Sequence, residues 1–177
     1  MPDKPLAYFL TWTCHGTWLH GDLRGSVDSR HNKRGHPRLA PDEWLQQFER
    51  RLVGNQGEYL TQDARESVNA QLVETCAHRR WTLRAKYVGT NHVHVVVSAS
   101  ADPDKIAEDL KAWATRRLNE QAGRVLKPWT EGASTIYLWT QIKVDEKVDY
   151  VHRLQTGEAR ARKEITKQRA QTNRGTD

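Results

Sequence analysis

Two histidines separated by a single valine are the residues best suited to chemistry in this sequence. His92 and His94 lie in an apolar run that continues into three consecutive valines. Side chains two positions apart on a β-strand project from the same face, about 7 Å apart along the backbone, so both imidazoles could ligate one metal ion. A metal held there would polarise a phosphate. The pair could also be ordinary strand histidines bound by water or by a backbone carbonyl.

A tyrosine further along the chain could supply the nucleophile for such a site. Tyr150 lies on a predicted helix, displaced from the valine face that would pack on a sheet. A phenol is well suited to attack a DNA phosphodiester, because the phosphotyrosine link conserves bond energy and needs no high-energy cofactor. Tyr150 could equally be a half-buried packing residue, as most tyrosines on helices are.

A third metal ligand is expected on the same helix. Gln155 offers an amide oxygen, and a set of imidazole and oxygen ligands favours Mg²⁺ or Mn²⁺. The step from Tyr150 to Gln155 turns about 140° around a helix. The two side chains therefore converge only if Gln155 lies at the unwinding helix end, which Gly157 permits. His152 is the alternative ligand, although it points away from Tyr150 on an ideal helix.

Alternating strands and helices must position these residues. Hydrophobic periodicity predicts four strands and three main helices in the order β, α, β, β, α, β, α. This order predicts an α+β fold, a ferredoxin-like antiparallel sheet of about four strands with helices packed on it. The predicted strands are 6–14, 81–88, 92–99 and 134–140, and the predicted helices are 61–78, 102–121 and 145–154.

The 177 residues are expected to form one domain over 1–157, followed by a basic polar tail over 158–177. Residues 15–60 are rich in glycine, proline and charge, and a long loop is expected there. No stretch is typical of a signal peptide or a membrane span, so the protein is expected in the cytoplasm, without a membrane partner. The two cysteines, Cys14 and Cys76, lack metal-type spacing and are expected to be reduced thiols, buried or half-buried.

Charge and aromatic content indicate a nucleic-acid partner. The formal net charge is +6, and several of the seven tryptophans stand beside lysine or arginine. Basic groups interleaved with aromatic rings suit single-stranded nucleic acid. Arg84 and Lys86 are candidate DNA contacts, because their strand would pair with the histidine strand. Three residues of the second helix are further candidates, although they could instead form only its solvated face: Lys111, Arg116 and Arg117.

The motifs occur in an order that resembles the single-tyrosine HUH transposases of bacterial insertion sequences and their REP-associated relatives. The histidine–hydrophobic–histidine motif is His92-Val93-His94, and Tyr150 followed by Gln155 is similar to the tyrosine helix of that family. The segments 8–22, 110–117 and 129–139 resemble one subgroup. The resemblance spans about residues 6–157.

The resemblance implies a DNA strand transferase. His92, His94 and Gln155 would bind a divalent metal, Mg²⁺ or Mn²⁺, and Tyr150 would cleave single-stranded DNA at imperfect hairpins. Cleavage would leave a 5′-phosphotyrosine and a free 3′-hydroxyl before strands are rejoined. Some members have the glutamine four residues after the tyrosine, where this sequence has Leu154. The family includes monomers and dimers that exchange the tyrosine helix, so a homodimer is one of the expected states.

Two other functions remain open at this stage. A domesticated regulator of the same fold would bind nucleic acid after losing catalysis, although the intact set of His92, His94 and Tyr150 favours the enzyme. A rolling-circle initiator or relaxase would use the same chemistry, but no helicase or oligomerisation domain is evident in the sequence.

Overall fold

The computed structural model describes residues 4–15 and 60–156, which form a four-stranded sheet covered by helices on both faces. The strands are β1 (Ala7–Thr13), β2 (Thr82–Val88), β3 (His92–Ser98) and β4 (Ser134–Leu138), and the helices are α1 (Gln62–Arg79), α2 (Pro103–Ala122) and α3 (Gln141–Gln155). Most of the predicted loop over 15–60 and the whole tail over 158–177 lie outside the described residues.

The sheet is antiparallel throughout, with the strand order β2-β3-β1-β4. Each of α1 and α2 connects two strands that are not neighbours, which is the split arrangement of a ferredoxin-like core. The predicted α+β fold is therefore confirmed. The histidine strand β3 lies inside the sheet, between β1 and β2, so its backbone is paired on both sides.

One face of the sheet carries the larger core. Val93, Val95 and Val97 of β3 are fully buried there with apolar residues of β1, α1 and α2. Leu72 of α1 and Leu110 of α2 are fully buried in the same cluster. Because strand side chains alternate between faces, burying these valines directs the residues between them to the opposite face.

The opposite face is covered by α3. Val144 and Val151 are fully buried against the sheet, and Val148 packs beside them, as the helical spacing of these valines predicted. Their partners include Phe9 of β1 and Val96 of β3. This smaller core fixes α3 above the face of β3 that carries the two histidines.

Capping residues explain where the helices begin. The side chains of Thr61 and Asp102 cap α1 and α2, close to the predicted starts. The predicted start of α3 at residue 145 is wrong: Thr140 caps the helix, which begins at Gln141. The same cap shortens β4, which ends at Leu138 rather than at the predicted residue 140.

Both cysteines lie within the described residues. Cys14 and Cys76 are both buried, and burial raises the pKa of Cys76 to about 11. Among the helices of residues 60–156, none has the length and apolarity needed to cross a bilayer.

Candidate active site

The two histidines are brought together on the α3 face of the sheet. His92 and His94 lie at the start of β3, with ring centroids 4.9 Å apart and ring planes inclined by 65°. His94 is buried and His92 is half-buried. Residues two apart on the strand share this face, as the sequence predicted, so both imidazoles lie next to the same volume beneath α3.

Hydrogen bonds fix the orientation of both imidazole rings. His94 Nδ1 lies 2.8 Å from the Oγ1 of Thr11, which pairs with it across β1 and β3. His92 Nδ1 lies 2.8 Å from Asn91 Oδ1. A carbonyl oxygen only accepts, so this bond selects the tautomer of His92 with the proton on Nδ1; the Thr11 hydroxyl can accept from His94 in the same way. A ring with its proton on Nδ1 has Nε2 as the nitrogen that could ligate a metal.

Aromatic rings surround the histidine pair. Phe9 stacks on His94 with centroids 5.3 Å apart and planes inclined by 18°. The Tyr87 ring contacts both imidazoles, at 5.6 Å from His92 and 6.3 Å from His94. These contacts and the hydrogen bonds hold the rings before any ligand binds, which is the preorganisation that a metal site requires.

The His92 ring lies where a side chain at residue 89 would be, and residue 89 is a glycine. Gly89 lies in the turn between β2 and β3, where its N–H donates to the His92 carbonyl oxygen at 2.8 Å. A β-carbon on Gly89 would lie 3.1 Å from His92 Cε1 and 3.0 Å from Tyr87 Cε1. A side chain at residue 89 would therefore press on one of the two imidazoles.

Tyr150 reaches this cluster from α3. Its ring is edge-on to His94 with centroids 5.8 Å apart, and edge-on to Phe9 at 6.0 Å. The side chain is 37% exposed. Tyr150 is displaced from the buried valines of α3, so its ring packs at the rim of the smaller core while part of the side chain reaches solvent. The structure thus brings a phenol and two imidazoles together from elements that are distant in sequence.

Gln155 lies at the end of α3, as convergence with the site would require. It is the last residue of the helix, and its amide nitrogen donates to the Lys86 carbonyl oxygen at 2.5 Å. Lys86 precedes Tyr87, whose ring contacts both histidines. Because this bond uses the amide nitrogen, the amide oxygen is the atom that could ligate a metal. His152, the alternative ligand, is an exposed residue of the same helix.

The donors present fit a divalent cation. Two imidazoles, each with Nδ1 bonded to an oxygen, and one amide oxygen would form a neutral set that leaves positions for phosphate oxygens and water. Within residues 4–15 and 60–156, no group of three or more His, Cys, Asp or Glu side chains could hold a metal. The amide oxygen of Gln155 is a candidate third ligand of another type.

The two predicted DNA contacts of β2 each donate a hydrogen bond within the fold. Lys86 pairs with Val95, so its side chain lies on the α1 side of the sheet, and its Nζ donates to Asn69 Oδ1 at 3.0 Å. A register shift in β2 lies at Arg84, whose Nε donates to Ser98 Oγ at 2.7 Å. Pairing with the histidine strand therefore does not by itself direct Lys86 towards the histidine face.

The three candidate contacts of α2 differ in how far their charges are engaged. Lys111 Nζ donates to the carbonyl oxygens of Thr130 and Gly132, at 2.7 and 2.8 Å, and burial lowers the pKa of Lys111. Arg117 pairs with Glu74 of α1 at 2.8 Å. Arg116 stacks on the Trp113 ring, with its guanidinium carbon 4.7 Å from the ring centroid. Lys111 and Arg117 thus stabilise the fold whether or not they also contact DNA.

Sequence reasoning missed the residues that support the site. Thr11, Phe9 and Gly89 each contact or make room for a histidine, and Lys147 lies over the Tyr150 ring. Alternation along the first predicted strand could have placed Phe9 and Thr11 on one face. Only the register of β1 against β3 shows that Thr11 is opposite His94.

Comparison with known proteins identifies the family. The family model described as "Transposase IS200 like" matches residues 52–153, more than half of the chain. The chain therefore belongs to the IS200-like transposase family, and the family predicted from its motifs is confirmed. Membership supports a DNA-cleaving and strand-transferring enzyme in general.

Solved structures with a similar fold include two transposases. One is a REP-associated tyrosine transposase bound to a REP hairpin, with a TM-score of 0.49 and 12% identity over 88% of this chain and 69% of that one. The other, from Deinococcus radiodurans R1, is described as a "putative transposase" and has a TM-score of 0.45 and 13% identity, covering 84% and 90%. The search of curated proteins gave no match.

Proposed function

We propose that this protein is a metal-dependent transposase that cleaves and rejoins single-stranded DNA at hairpin sites through a 5′-phosphotyrosine on Tyr150. The observation that carries the proposal is the contact between the Tyr150 ring and His94, with centroids 5.8 Å apart. A nucleophile and a pair of metal-type ligands on one face of the sheet are what phosphoryl transfer to a tyrosine requires.

His92, His94 and Gln155 would hold a divalent cation, Mg²⁺ or Mn²⁺. A metal bound there would polarise the scissile phosphate and neutralise charge on its oxygens. Thr11 and Asn91 would orient the two ligands, because each forms a hydrogen bond with the Nδ1 of one imidazole and would keep Nε2 as the ligating atom. Gln155 would contribute its amide oxygen while its amide nitrogen stays bonded to β2.

Tyr150 would perform the covalent step. Its Oη forms a bond to the phosphorus as the bond between phosphorus and the 3′-oxygen breaks. The phenolic proton ends on the released 3′-hydroxyl, so atoms and charge balance without a high-energy cofactor. Attack of a 3′-hydroxyl on the phosphotyrosine reverses these bond changes and rejoins strands. The partial exposure of Tyr150 gives a DNA strand access to the phenol.

Single-stranded hairpin DNA is the proposed substrate. Support comes from the net charge of +6 and from the transposase family to which the chain belongs. The exposed stack of Arg116 on Trp113 offers a cation and an aromatic face, which suit phosphates and unstacked bases respectively. The REP-associated transposase was solved with a REP hairpin bound, so a panel of such hairpins is a suitable starting library.

The covalent intermediate is the test of the proposal. The protein is incubated with labelled hairpin oligonucleotides and Mn²⁺ or Mg²⁺, and denaturing electrophoresis separates any protein–DNA adduct. We expect an adduct that needs the metal and disappears in Tyr150→Phe. Tyr137→Phe is the matched control, because Tyr137 is a similarly exposed tyrosine on β4 and should form the adduct normally.

Two outcomes would contradict the proposal in different ways. An adduct that persists in Tyr150→Phe would refute the role of this tyrosine. Tight, metal-independent hairpin binding without an adduct on any substrate would instead indicate a DNA-binding regulator that has lost catalysis. His94→Ala should abolish cleavage, whereas His78→Ala, which removes an exposed histidine of α1, should not.

A further inference from the structure

Lys147 places a positive charge beside the proposed nucleophile. Its Nζ lies 5.5 Å from the centroid of the Tyr150 ring and 5.0 Å from that of Phe9. These two rings also contact each other edge-on. Lys147 is half-buried on α3, one helical turn before Tyr150. The ammonium and the phenol therefore lie on the same flank of the helix, towards β1.

The other cations of α3 are engaged differently. Lys143 pairs with Glu146 at 2.7 Å, and Arg153 Nε donates to the Asp149 carbonyl oxygen. Among the ion pairs formed within the described segments, none involves Lys147. Its charge faces aromatic rings instead. A cation over a ring face at a partly exposed site gains much less free energy than direct hydrogen bonds to an anion supply.

A half-buried lysine that forms no ion pair within residues 4–15 and 60–156, next to a nucleophilic phenol, is suited to bind an anion. We propose that Lys147, held over Phe9 and Tyr150, forms a phosphate subsite and donates a hydrogen bond to a non-bridging oxygen of the scissile phosphodiester. The flexible four-carbon stem of lysine allows the ammonium to move from the ring faces to the phosphate. The inference rests on the function proposed above, because it requires Tyr150 to attack that phosphate.

The subsite would act from the tyrosine side of the phosphate. In the step, the bond from Tyr150 Oη to phosphorus forms and the bond to the 3′-oxygen breaks, while Lys147 stays protonated and exchanges no atom with the substrate. Its hydrogen bond strengthens as charge builds on the non-bridging oxygens. A donor preorganised for such charge contributes more to the rate than to substrate binding.

Single-turnover kinetics with three variants test the subsite. Lys147→Met keeps the apolar stem and removes the charge, and we expect adduct formation to slow by about 100-fold at saturating DNA. Lys147→Arg keeps a donor and should remain within about 10-fold of wild type. Lys143→Met is the matched control, because it removes a surface lysine of the same helix whose charge is already paired; it should react at the wild-type rate.

A substrate with a methylphosphonate at the scissile position distinguishes this contact from a packing role. This substrate lacks the charged non-bridging oxygen, so the ratio of the wild-type rate of adduct formation to the Lys147→Met rate should fall to about threefold or less. Thermal melting checks that Lys147→Met is folded, and Lys147→Gln replaces it if it is not.

The failures can be told apart. A wild-type protein that forms no adduct refutes the function proposed above and the subsite with it. If the wild type forms the adduct but Lys147→Met reacts equally fast, only the subsite is refuted. An unchanged 100-fold gap on the methylphosphonate substrate would show that Lys147 acts on the protein rather than on the phosphate.

Discussion

Replacing Gly89 by alanine should weaken metal binding without touching a ligand. Gly89 has no positive φ, so its backbone accepts alanine and the effect is steric. The added β-carbon would lie 3.1 Å from His92 Cε1 and 3.0 Å from Tyr87 Cε1. Carbon atoms in ordinary contact are about 3.5 Å apart, so the imidazole must withdraw by about 0.4 Å. Metal–ligand distances tolerate only about 0.2 Å.

The expected loss of affinity is about 10-fold, at the low end of what changes behind metal ligands produce. Crowding of this kind should also destabilise the fold by about 1 kcal/mol, which lowers the Tm by about 2–4 °C. Electron paramagnetic resonance of free Mn²⁺, titrated with folded protein at 25 °C, measures the affinity directly and needs no DNA.

Gly123→Ala provides the matched control. Gly123 caps α2 with φ of 64°, and a β-carbon there meets nothing within 4 Å. The left-handed backbone should cost about 1–2 kcal/mol for a residue with a side chain, while Mn²⁺ affinity stays unchanged. If Gly89→Ala binds Mn²⁺ as tightly as wild type, His92 either does not ligate the metal or is not held by this contact, and the reasoning fails.

Three further predictions concern the residues around the site and the core. Thr11→Val removes the oxygen bonded to His94 Nδ1 and should lower Mn²⁺ affinity by about 10-fold or more. Thr135→Val is its control and should leave the affinity unchanged, because the Thr135 hydroxyl is buried without a hydrogen-bond partner among the described residues. Lys111→Met leaves two loop carbonyls without their donor and should lower the free energy of unfolding by about 2–3 kcal/mol, seen as a fall in Tm of about 5–10 °C. An unchanged Tm would show that Lys111 does not stabilise the fold through these bonds. Burial raises the pKa of Cys76 to about 11, so at pH 8 only about one thiol in a thousand is ionised. Iodoacetamide should therefore modify Cys76 only after unfolding, as measured by peptide mass spectrometry. Rapid labelling of the native protein would refute this prediction.

Short-range signals allowed most of the fold to be predicted. The alternation of valines in β3 identified both its buried face and the histidine face, because the strand period is two. The predicted helix starts at residues 61 and 102 coincide with the residues that cap α1 and α2. The start of α3 was mispredicted because Thr140 also fits a strand: threonine is favoured both in strands and as an N-cap.

The supporting residues of the site could not be predicted in the same way. That Thr11 bonds His94 depends on the register of β1 against β3, and register is set by the whole sheet. That Lys86 lies away from the histidines depends on its pairing with Val95 across β2 and β3. Neither feature has a local sequence signal. The ligands and the nucleophile stood out because their chemistry is unusual, whereas Thr11 and Phe9 resemble ordinary strand residues.

The central claim is that Tyr150 becomes joined to a 5′-phosphate of DNA. Trypsin and nuclease digestion of the adduct, followed by tandem mass spectrometry, identifies the residue that carries the nucleotide, and a 3′-end label shows which DNA fragment stays attached. We expect the modification to lie on Tyr150 and the 3′-labelled fragment to remain with the protein. A nucleotide on another residue, or retention of the 5′-labelled fragment instead, would contradict the claim.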